Sequence, residues 1–535
     1  MSESGYALQP NAAATRVSAP VASSAVVSGE VALPRSGEET RPFASRLLWL
    51  VSFPAMLGAL LTATVFFPGR NFFVDGDLWC HIQNGKLILA TGHFPTTDPY
   101  TFTVAGQPWI TCEWIGDLLL ASVSRMGGLV GLDMLLIALG SAVVIALYYY
   151  GTLRSGNSKA GFVTVLLLSP VAFVSFTLRP QMLGYLFLVL TMIALEFFRR
   201  GRHRAIWFLP PLMLLWVNSH GSFVIGLGAI FVYWIAGLKE FELGGIVAKA
   251  WTPSERRQIS FTFLLCLAAL PITPYGTQIA IYPFQVAFKL PFGVAHVDEW
   301  ESMPFHDPLG KIFLGVLIAF IVLQIARRFS WRLEELCLFL FGTVMACLHA
   351  RFILIFVPFC IPILTTMLAH WIPVYEREKD RYAVNAILMA GLSVTMIWFH
   401  PTISGLRQDV AAEFPVAAVN YIKQNHVAGP LFNEYSYGGY LIWSGEKVFV
   451  DGRADPEERG GALADYFRVA FAGPGALRIL ENYKIHSCLI KPGTPLDTLL
   501  ASQASWQKVY SDNNSVLFVR RDSALTSIST TRKSQ

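Results

Sequence analysis

The chain is 535 residues long, 54% hydrophobic and 13% aromatic with only 14% charged residues, and its mean hydropathy is +0.48. That is more apolar than a water-soluble domain tolerates, so a soluble globular enzyme is excluded and the bilayer is the expected solvent. A net charge of +5, small and scattered, excludes a nucleic-acid partner, and seven cysteines without a CxxC pair support neither a zinc site nor a thioredoxin-like motif.

Residues 1–41 are rich in Ala, Ser, Val and Gly, with apolar residues too interrupted to span or pack, and read as a disordered cytoplasmic tail. They lack the charged start, apolar run and small-residue cleavage site of a secretory signal, so the first span is expected to be an uncleaved anchor. From 42 to 402 the chain reads as a polytopic, all-α membrane domain. Apolar runs long enough to cross give about eleven spans, near 46–67, 128–151, 160–178, 181–198, 205–217, 222–238, 259–273, 311–326, 333–348, 352–372 and 383–400.

Lys and Arg then set the orientation. Arg35, Arg41 and Arg46 precede the first span; Arg154 and Lys159 follow the second; Arg199, Arg200, Arg202 and Arg204 the fourth; Lys239, Lys249, Arg256 and Arg257 the sixth. Arg327, Arg328 and Arg332, then Arg377, Lys379 and Arg381, continue the alternation. The pattern predicts a cytoplasmic N-terminus and an extracytoplasmic C-terminal segment.

The opposite loops hold the polar chemistry. The large first outer loop, 68–127, contains DGDLWCHI at Asp75 to Ile82, GHFPTTDPYTFT at Gly92 to Thr103 and QPWITCEWIGDLL from Gln107. Later outer turns contribute Arg179, Asn218 and His220, Glu299, and His349 with Arg351. One such residue is an ordinary interfacial group with its head in water; their concentration on one face predicts an outward-facing polar pocket. Cys80 and Cys112 share the first loop, which leaves a disulfide between them open.

After about His400 the composition changes. Helix-like PVAAVNYIKQN, ALADYFRVAF and LRILENY alternate with strand-like PLFNEY, YLIW, KVFVDGR, HSCLI and SVLFVRR, which predicts an extracytoplasmic α/β domain over 403–522 able to fold on its own, followed by a frayed tail, 523–535. Asp451 and Arg453 read either as a structural ion pair or as acceptor contacts.

A long first outer loop with acids just beyond the membrane resembles the GT-C glycosyltransferases. The three quoted loop motifs, with NEYSYGGYLIW at Asn433 to Trp443 and VFVDGRAD at Val448 to Asp455, resemble a bacterial group described as RgtA/B/C/D-like glycosyltransferases. The acid-x-acid triplet is also similar to the first-loop motif of oligosaccharyltransferase catalytic subunits, and the segment around Tyr437 to their aromatic-Asp-Tyr-Gly motif. Glu434 and Ser436 stand where that motif has other residues, so peptide binding is not implied.

The resemblance implies a multi-pass protein of the bacterial inner membrane and cell envelope. It would move a sugar from a polyprenyl-phosphate-linked donor to a glycan, lipid or protein acceptor on the outer face. Such a reaction needs a carboxylate to take the acceptor proton and cations to hold the departing phosphate. Asp77, with Asp75 beside it, is the preferred base; Asp75 also reads as a turn residue capping the next helix. The pair could instead hold a divalent Mg or Mn ion, the only cofactor in view, with His81 as a helper. Arg179 and Arg351 are phosphate clamps by their paired donors, and Asn218, His220, Glu299, Tyr437, Asp451 and Arg453 complete the expected substrate contacts. The alternatives are a transporter or flippase for a lipid-linked or polar substrate, which would place charges at mid-membrane and show repeats, and a non-catalytic assembly scaffold.

Overall fold

Every apolar run read from the sequence contains a helix. The computed structural model describes residues 48–67, 75–289, 291–296 and 300–521, so the terminal tails and Glu299 lie outside the described residues. In chain order the helices are α1 (Phe53–Phe66), α2 (Asp77–Thr91), α3 (Trp114–Ser155), α4 (Ser158–Phe173), α5 (Gln181–Arg199), α6 (Leu209–Val217), α7 (Phe223–Ala236) and α8 (Pro253–Ala269). They continue with α9 (Gln278–Lys289), α10 (Pro291–His296), α11 (Pro308–Arg327), α12 (Leu333–Leu348), α13 (Ile353–Leu368) and α14 (Tyr382–Trp398).

By length and composition four helices can cross a membrane: Trp114–Ser155, Gln181–Arg199, Pro308–Arg327 and Ala350–Leu368. Tyr382–Trp398 makes a fifth when joined to Ile403–Glu413, from which it is bent by 63°. The remaining expected spans are shorter helices. The run at 205–217 opens with a 3-10 turn over His203–Phe208, leaving nine residues of α-helix in α6, which is roughly 14 Å at 1.5 Å per residue. In α4, Pro170 lies inside the last turn, where its ring removes a backbone bond.

Burial divides the long helices. Ile353 to Thr365 in α13 are all buried, as an all-round apolar helix must be, and it packs among α3, α4, α5 and α12. On α11 and α14 the large apolar residues Ile318, Ile321, Val322, Ile325, Ile387 and Ile397 point outward. A contiguous exposed apolar surface of that kind belongs in lipid.

Helix α3 extends well beyond a single span. Its 42 residues are broken at Gly128, which has φ 55° and ψ −142°, a conformation open to glycine and costly for residues with a Cβ. The part after the break matches the expected span at 128–151, and the part before it belongs to the first outer loop, as does α2.

The C-terminal segment carries α15 (Ile403–Glu413), α16 (Val416–Gln424), α17 (Gly438–Trp443), α18 (Asp455–Arg459), α19 (Ala462–Ala470), α20 (Ala476–Asn482) and α21 (Pro495–Ala501). A hairpin and a bridge from the loop before α12 make a small sheet, β1 (Phe241–Leu243), β2 (Ile246–Ala248) and β3 (Trp331–Arg332). The larger sheet consists of β4 (Leu431–Asn433), β5 (Ser487–Ile490), β6 (Trp506–Ser511) and β7 (Val516–Arg520) in the order β4-β5-β7-β6. β4 and β5 are parallel, and the other two pairings are antiparallel. Phe432, Phe449, Tyr466, Leu480, Cys488 and Phe518 form a core within the segment.

Two expected strands differ. YLIW is the helix α17, because the chain must approach α2 there: a Cβ on Gly439 would lie 2.0 Å from the Gly76 carbonyl oxygen. KVFVDGR joins neither sheet and makes only an isolated parallel bridge, Val448 to Thr101. The Asn433 side chain serves its backbone instead, donating to the Val450 carbonyl (2.9 Å) and accepting from the Phe449 N–H (2.8 Å).

Trp79 of α2 packs edge-on against Phe414 and Tyr440 and, at 4.8 Å between ring centres, against Trp443. The C-terminal segment therefore has both its own core and a seam shared with α2, and the described residues all fall in one compact unit. Cys80 and Cys112 are free thiols.

Candidate active site

The site is built where α2, α3 and α5 begin. Asp75 lies two residues before the α2 N-terminus, and its Oδ1 accepts the Asp77 N–H at 3.0 Å. The turn-capping reading and the acid pair are thus both present. Across from them, the turn before α5 brings Arg179, whose Nε donates to Asp75 Oδ2 and whose Nη1 lies 3.1 Å from Asp77 Oδ2. The sequence-predicted phosphate clamp is a guanidinium bridging the two acids. Asp75 is buried by this pairing, whereas Asp77 keeps 26% of its side chain exposed.

One helical turn beyond Asp77, on the same face of α2, His81 Nδ1 lies 2.7 Å from Asp117 Oδ1 and Nε2 lies 3.5 Å from Glu113 Oε2. Glu113 and Asp117 are themselves one turn apart at the start of α3. Burial works against charge on the imidazole, but the Asp117 hydrogen bond and the carboxylates of Asp117, Glu113 and Asp77 raise its pKa to about 9. His81 is therefore a cation at neutral pH. Glu113 is pushed up to about 7, foremost by burial, with Asp117 and Asp77 adding and His81 and Arg179 opposing.

His220, in the turn before α7, completes the cluster with Nε2 3.4 Å from Glu113 Oε1. Burial, with the charges of Arg351, His81 and Arg179, holds its pKa down to about 3. Its contact with Glu113 is then one between neutral imidazole and a carboxyl group rather than an ion pair. Nδ1 accepts the Ser222 N–H at 3.1 Å, which leaves the proton on Nε2. Arg351 acts on this group through its charge while its guanidinium stacks over Trp300 at 4.4 Å.

Both raised pKa values make one prediction. Ionising Glu113 or neutralising His81 costs the folded state more than the unfolded one. Their stability is fully present below the unfolded values, near 4.5 and 6.5, and is lost as pH rises through about 7 and about 9 respectively. The contribution of Glu113 to the melting temperature of the detergent-solubilised protein should fall between about pH 4.5 and 7, and that of His81 between about pH 6.5 and 9. His81→Gln should flatten the alkaline part of that fall, and a wild-type profile already flat there would remove the imidazolium.

Asp77 opens onto a cavity of about 440 Å³ between the helical part and the C-terminal segment. Asp75, Arg179, Glu434, Tyr435, Tyr466 and Phe467 share its wall. A Cβ on Gly452 would lie 1.7 Å from Asp77 Oδ1, so only glycine lets the VFVDGRAD segment close over the acid. Burial raises the Glu434 carboxyl above its usual range, against the Lys491 charge.

The other predicted residues lie elsewhere. Asn218 donates to the Leu214 and Ile272 carbonyls and accepts from Trp114 Nε1 at 2.8 Å, tying α6 to the start of α3. Tyr437 is buried and donates to the Asn514 carbonyl. Asp451 and Arg453 form a two-pronged pair at 2.7 and 2.6 Å, and Arg453 Nη1 reaches Asp98 at 2.7 Å. The pair ties the loop carrying Asp98 to the C-terminal segment. Glu113 and Asp117 were missed as site residues, although their four-residue spacing in QPWITCEWIGDLL puts both on one helical face.

The described residues do not fit a divalent metal. Arg179 occupies the position between Asp75 and Asp77, and among the described residues no three His, Cys, Asp or Glu side chains are grouped to hold an ion.

No family model matches the chain, and no curated protein does. Among solved structures it is similar to the Archaeoglobus fulgidus oligosaccharyltransferase tethered to an acceptor peptide, with a TM-score of 0.48 and 12% identity over 81% of this chain and 68% of that one. It is similar to AglB from the same organism in complex with an inhibitory peptide and dolichol-phosphate, with a TM-score of 0.47 and 11% identity over 84% and 70%. It is also similar to ArnT from Cupriavidus metallidurans bound to undecaprenyl phosphate, with a TM-score of 0.45 and 12% identity over 87% and 97%. At these TM-scores the likeness decides neither the reaction nor the residues that perform it.

Proposed function

We propose that this chain is a multi-pass membrane glycosyltransferase that moves a sugar from a polyprenyl-phosphate-linked donor to an acceptor hydroxyl on the extracytoplasmic face. The observation that carries this reading is Asp77, a carboxylate held by Arg179, with both side chains facing one cavity. The acceptor oxygen attacks the anomeric carbon as the carbon–oxygen bond to phosphate breaks. The bonding pair leaves with the phosphate, and the acceptor proton passes to Asp77. Arg179, Arg351 and the His81 imidazolium supply positive charge against the departing phosphate. Tyr435, Tyr466 and Phe467 with the Glu434 carboxyl suit a sugar ring, which presents apolar faces and a polar rim.

The test is transfer of labelled sugar from a polyprenyl-phosphate donor in membranes carrying the protein. Transport of the intact lipid-linked sugar without transfer would favour the flippase reading instead.

The reading requires the Asp77 end to face outward. Arg154, Arg199, Arg200 and Arg332 meet Glu196, Glu334 and Glu335 at the far end of α5. That end is 19 residues from the site, roughly 28 Å along a helix and close to one bilayer core. In intact cells, single cysteines at His93 and Asn513 should label from outside, and those at Arg202 and Arg328 should not. Asn513 is exposed in the C-terminal segment, between β6 and β7. The reverse pattern would overturn the orientation, and with it the outward-facing site.

A further inference from the structure

A second and larger hollow, about 720 Å³, lies behind Trp79. Trp79 and Tyr440 line this cleft, while their neighbours Asp77 and Gly439 line the cavity described above, so the two stand back to back across one aromatic wall. Leu89, Ala90, Leu129, Leu132, Ile403 and Val410 make its floor apolar. Three cations, Lys86, Arg125 and Arg407, stand on its lining, and no Asp or Glu does. Lys86 Nζ lies 5.4 Å from the Trp443 ring centre, and among the described residues Arg125 and Arg407 form no ion pair with a carboxylate.

The cleft's place in the fold matters as much as its lining. It opens at Gly128, where α3 breaks between its outer part and its apolar part. Its other wall is α15, which leaves α14 at 63° and carries Ile403 and Val410 with Arg407. A helix bent off the end of a span, with apolar residues on one side and a cation beside them, suits the membrane–water boundary. An apolar cleft with basic groups at that depth complements a lipid whose chain is buried and whose phosphate stays at the surface.

We propose that this cleft is a binding site for an anionic bilayer phospholipid, with the acyl chain between α2, α3 and α15 and the phosphate on Lys86, Arg125 and Arg407. A bilayer phospholipid is favoured because the cleft opens at the boundary where such lipids are the solvent, so even modest affinity fills it. This goes beyond the transfer reaction and does not depend on it.

The experiment is native mass spectrometry of the full chain purified in mild detergent and titrated with dioleoyl phosphatidylglycerol or dioleoyl phosphatidylcholine. The wild-type protein should hold one phosphatidylglycerol in preference to phosphatidylcholine. Replacing the cations together, Lys86→Gln, Arg125→Gln and Arg407→Gln, should lower phosphatidylglycerol occupancy by about tenfold or more through the lost charge-assisted bonds. All three residues are exposed, so the fold should persist. Ala90→Trp, which fills the apolar floor and leaves the cations, should lower occupancy as well. Equal retention of the two lipids, or unchanged occupancy in the triple variant, would overturn the assignment. So would one-for-one displacement of phosphatidylglycerol by an equal concentration of a polyprenyl phosphate, which would make the cleft part of the donor's route.

Discussion

Asp77→Asn should lower sugar transfer by about 10²- to 10⁴-fold, the usual cost of removing a general base, while the protein still folds and inserts. The amide keeps the shape of the carboxylate against Gly452 but cannot take the acceptor proton. Asp75→Asn separates position from chemistry. Asp75 is buried, caps the Asp77 N–H and receives Arg179 Nε, so in a pure base mechanism it is a positioning residue. Its replacement should leave partial activity, with the acceptor's KM and the pH profile little changed. Loss as deep as that of Asp77→Asn would mean that the two acids act as one unit, as in a shared ion site. Transfer at the wild-type rate in both variants would make the acids structural and move the transporter and scaffold readings ahead. The assay is labelled-sugar transfer from a polyprenyl-phosphate donor in membranes, normalised to inserted protein.

The second large effect lies at the opposite end of α5. Arg199 lies 2.8 Å from Glu334, with both side chains at most 5% exposed, and the guanidinium stacks over Trp251 at 3.6 Å. Glu334→Leu should destabilise the protein by about 3–5 kcal/mol, because it leaves a buried guanidinium without its counter-charge. Adding Arg199→Met should recover most of that loss, since two apolar groups replace two charges whose desolvation nearly offsets their attraction. Reversible unfolding in mixed micelles measures both. A single variant costing less than about 1 kcal/mol would show a pair screened like a surface one, and these contacts would not then hold α5 to α12. The basic residues of this face are thus also structural. Arg154 binds Glu335, and Arg332 reaches Glu196 at 2.7 Å, which a count of Lys and Arg along the chain cannot register.

What the sequence alone determined follows from local physics. An apolar run satisfies its backbone most simply within its own segment, so each of the runs contains a helix. The acid pair at Asp75 and Asp77 was legible because a two-residue spacing at a helix start needs no distant partner. PLFNEY, HSCLI and SVLFVRR were legible as strands because β-branched and aromatic runs between turns carry their own preference. Tertiary structure decided everything that depended on a neighbour remote in the chain. YLIW became α17 because Gly439 had to meet Gly76, and KVFVDGR lost its ladder because the Asn433 amide served its backbone. β6 was missed because WQKVYS has a weak pattern of its own and is held by pairing with β7. Only the tertiary structure placed Arg179 as the bridge between two acids, and Asn218 and Tyr437 as ties between distant segments. Glu113 drew its near-neutral pKa from burial and from charges on α2, on α3 and in the turn before α5. Desolvation and through-space charge are properties of the packed chain, so only the tertiary structure could decide which carboxyl groups would titrate near pH 7.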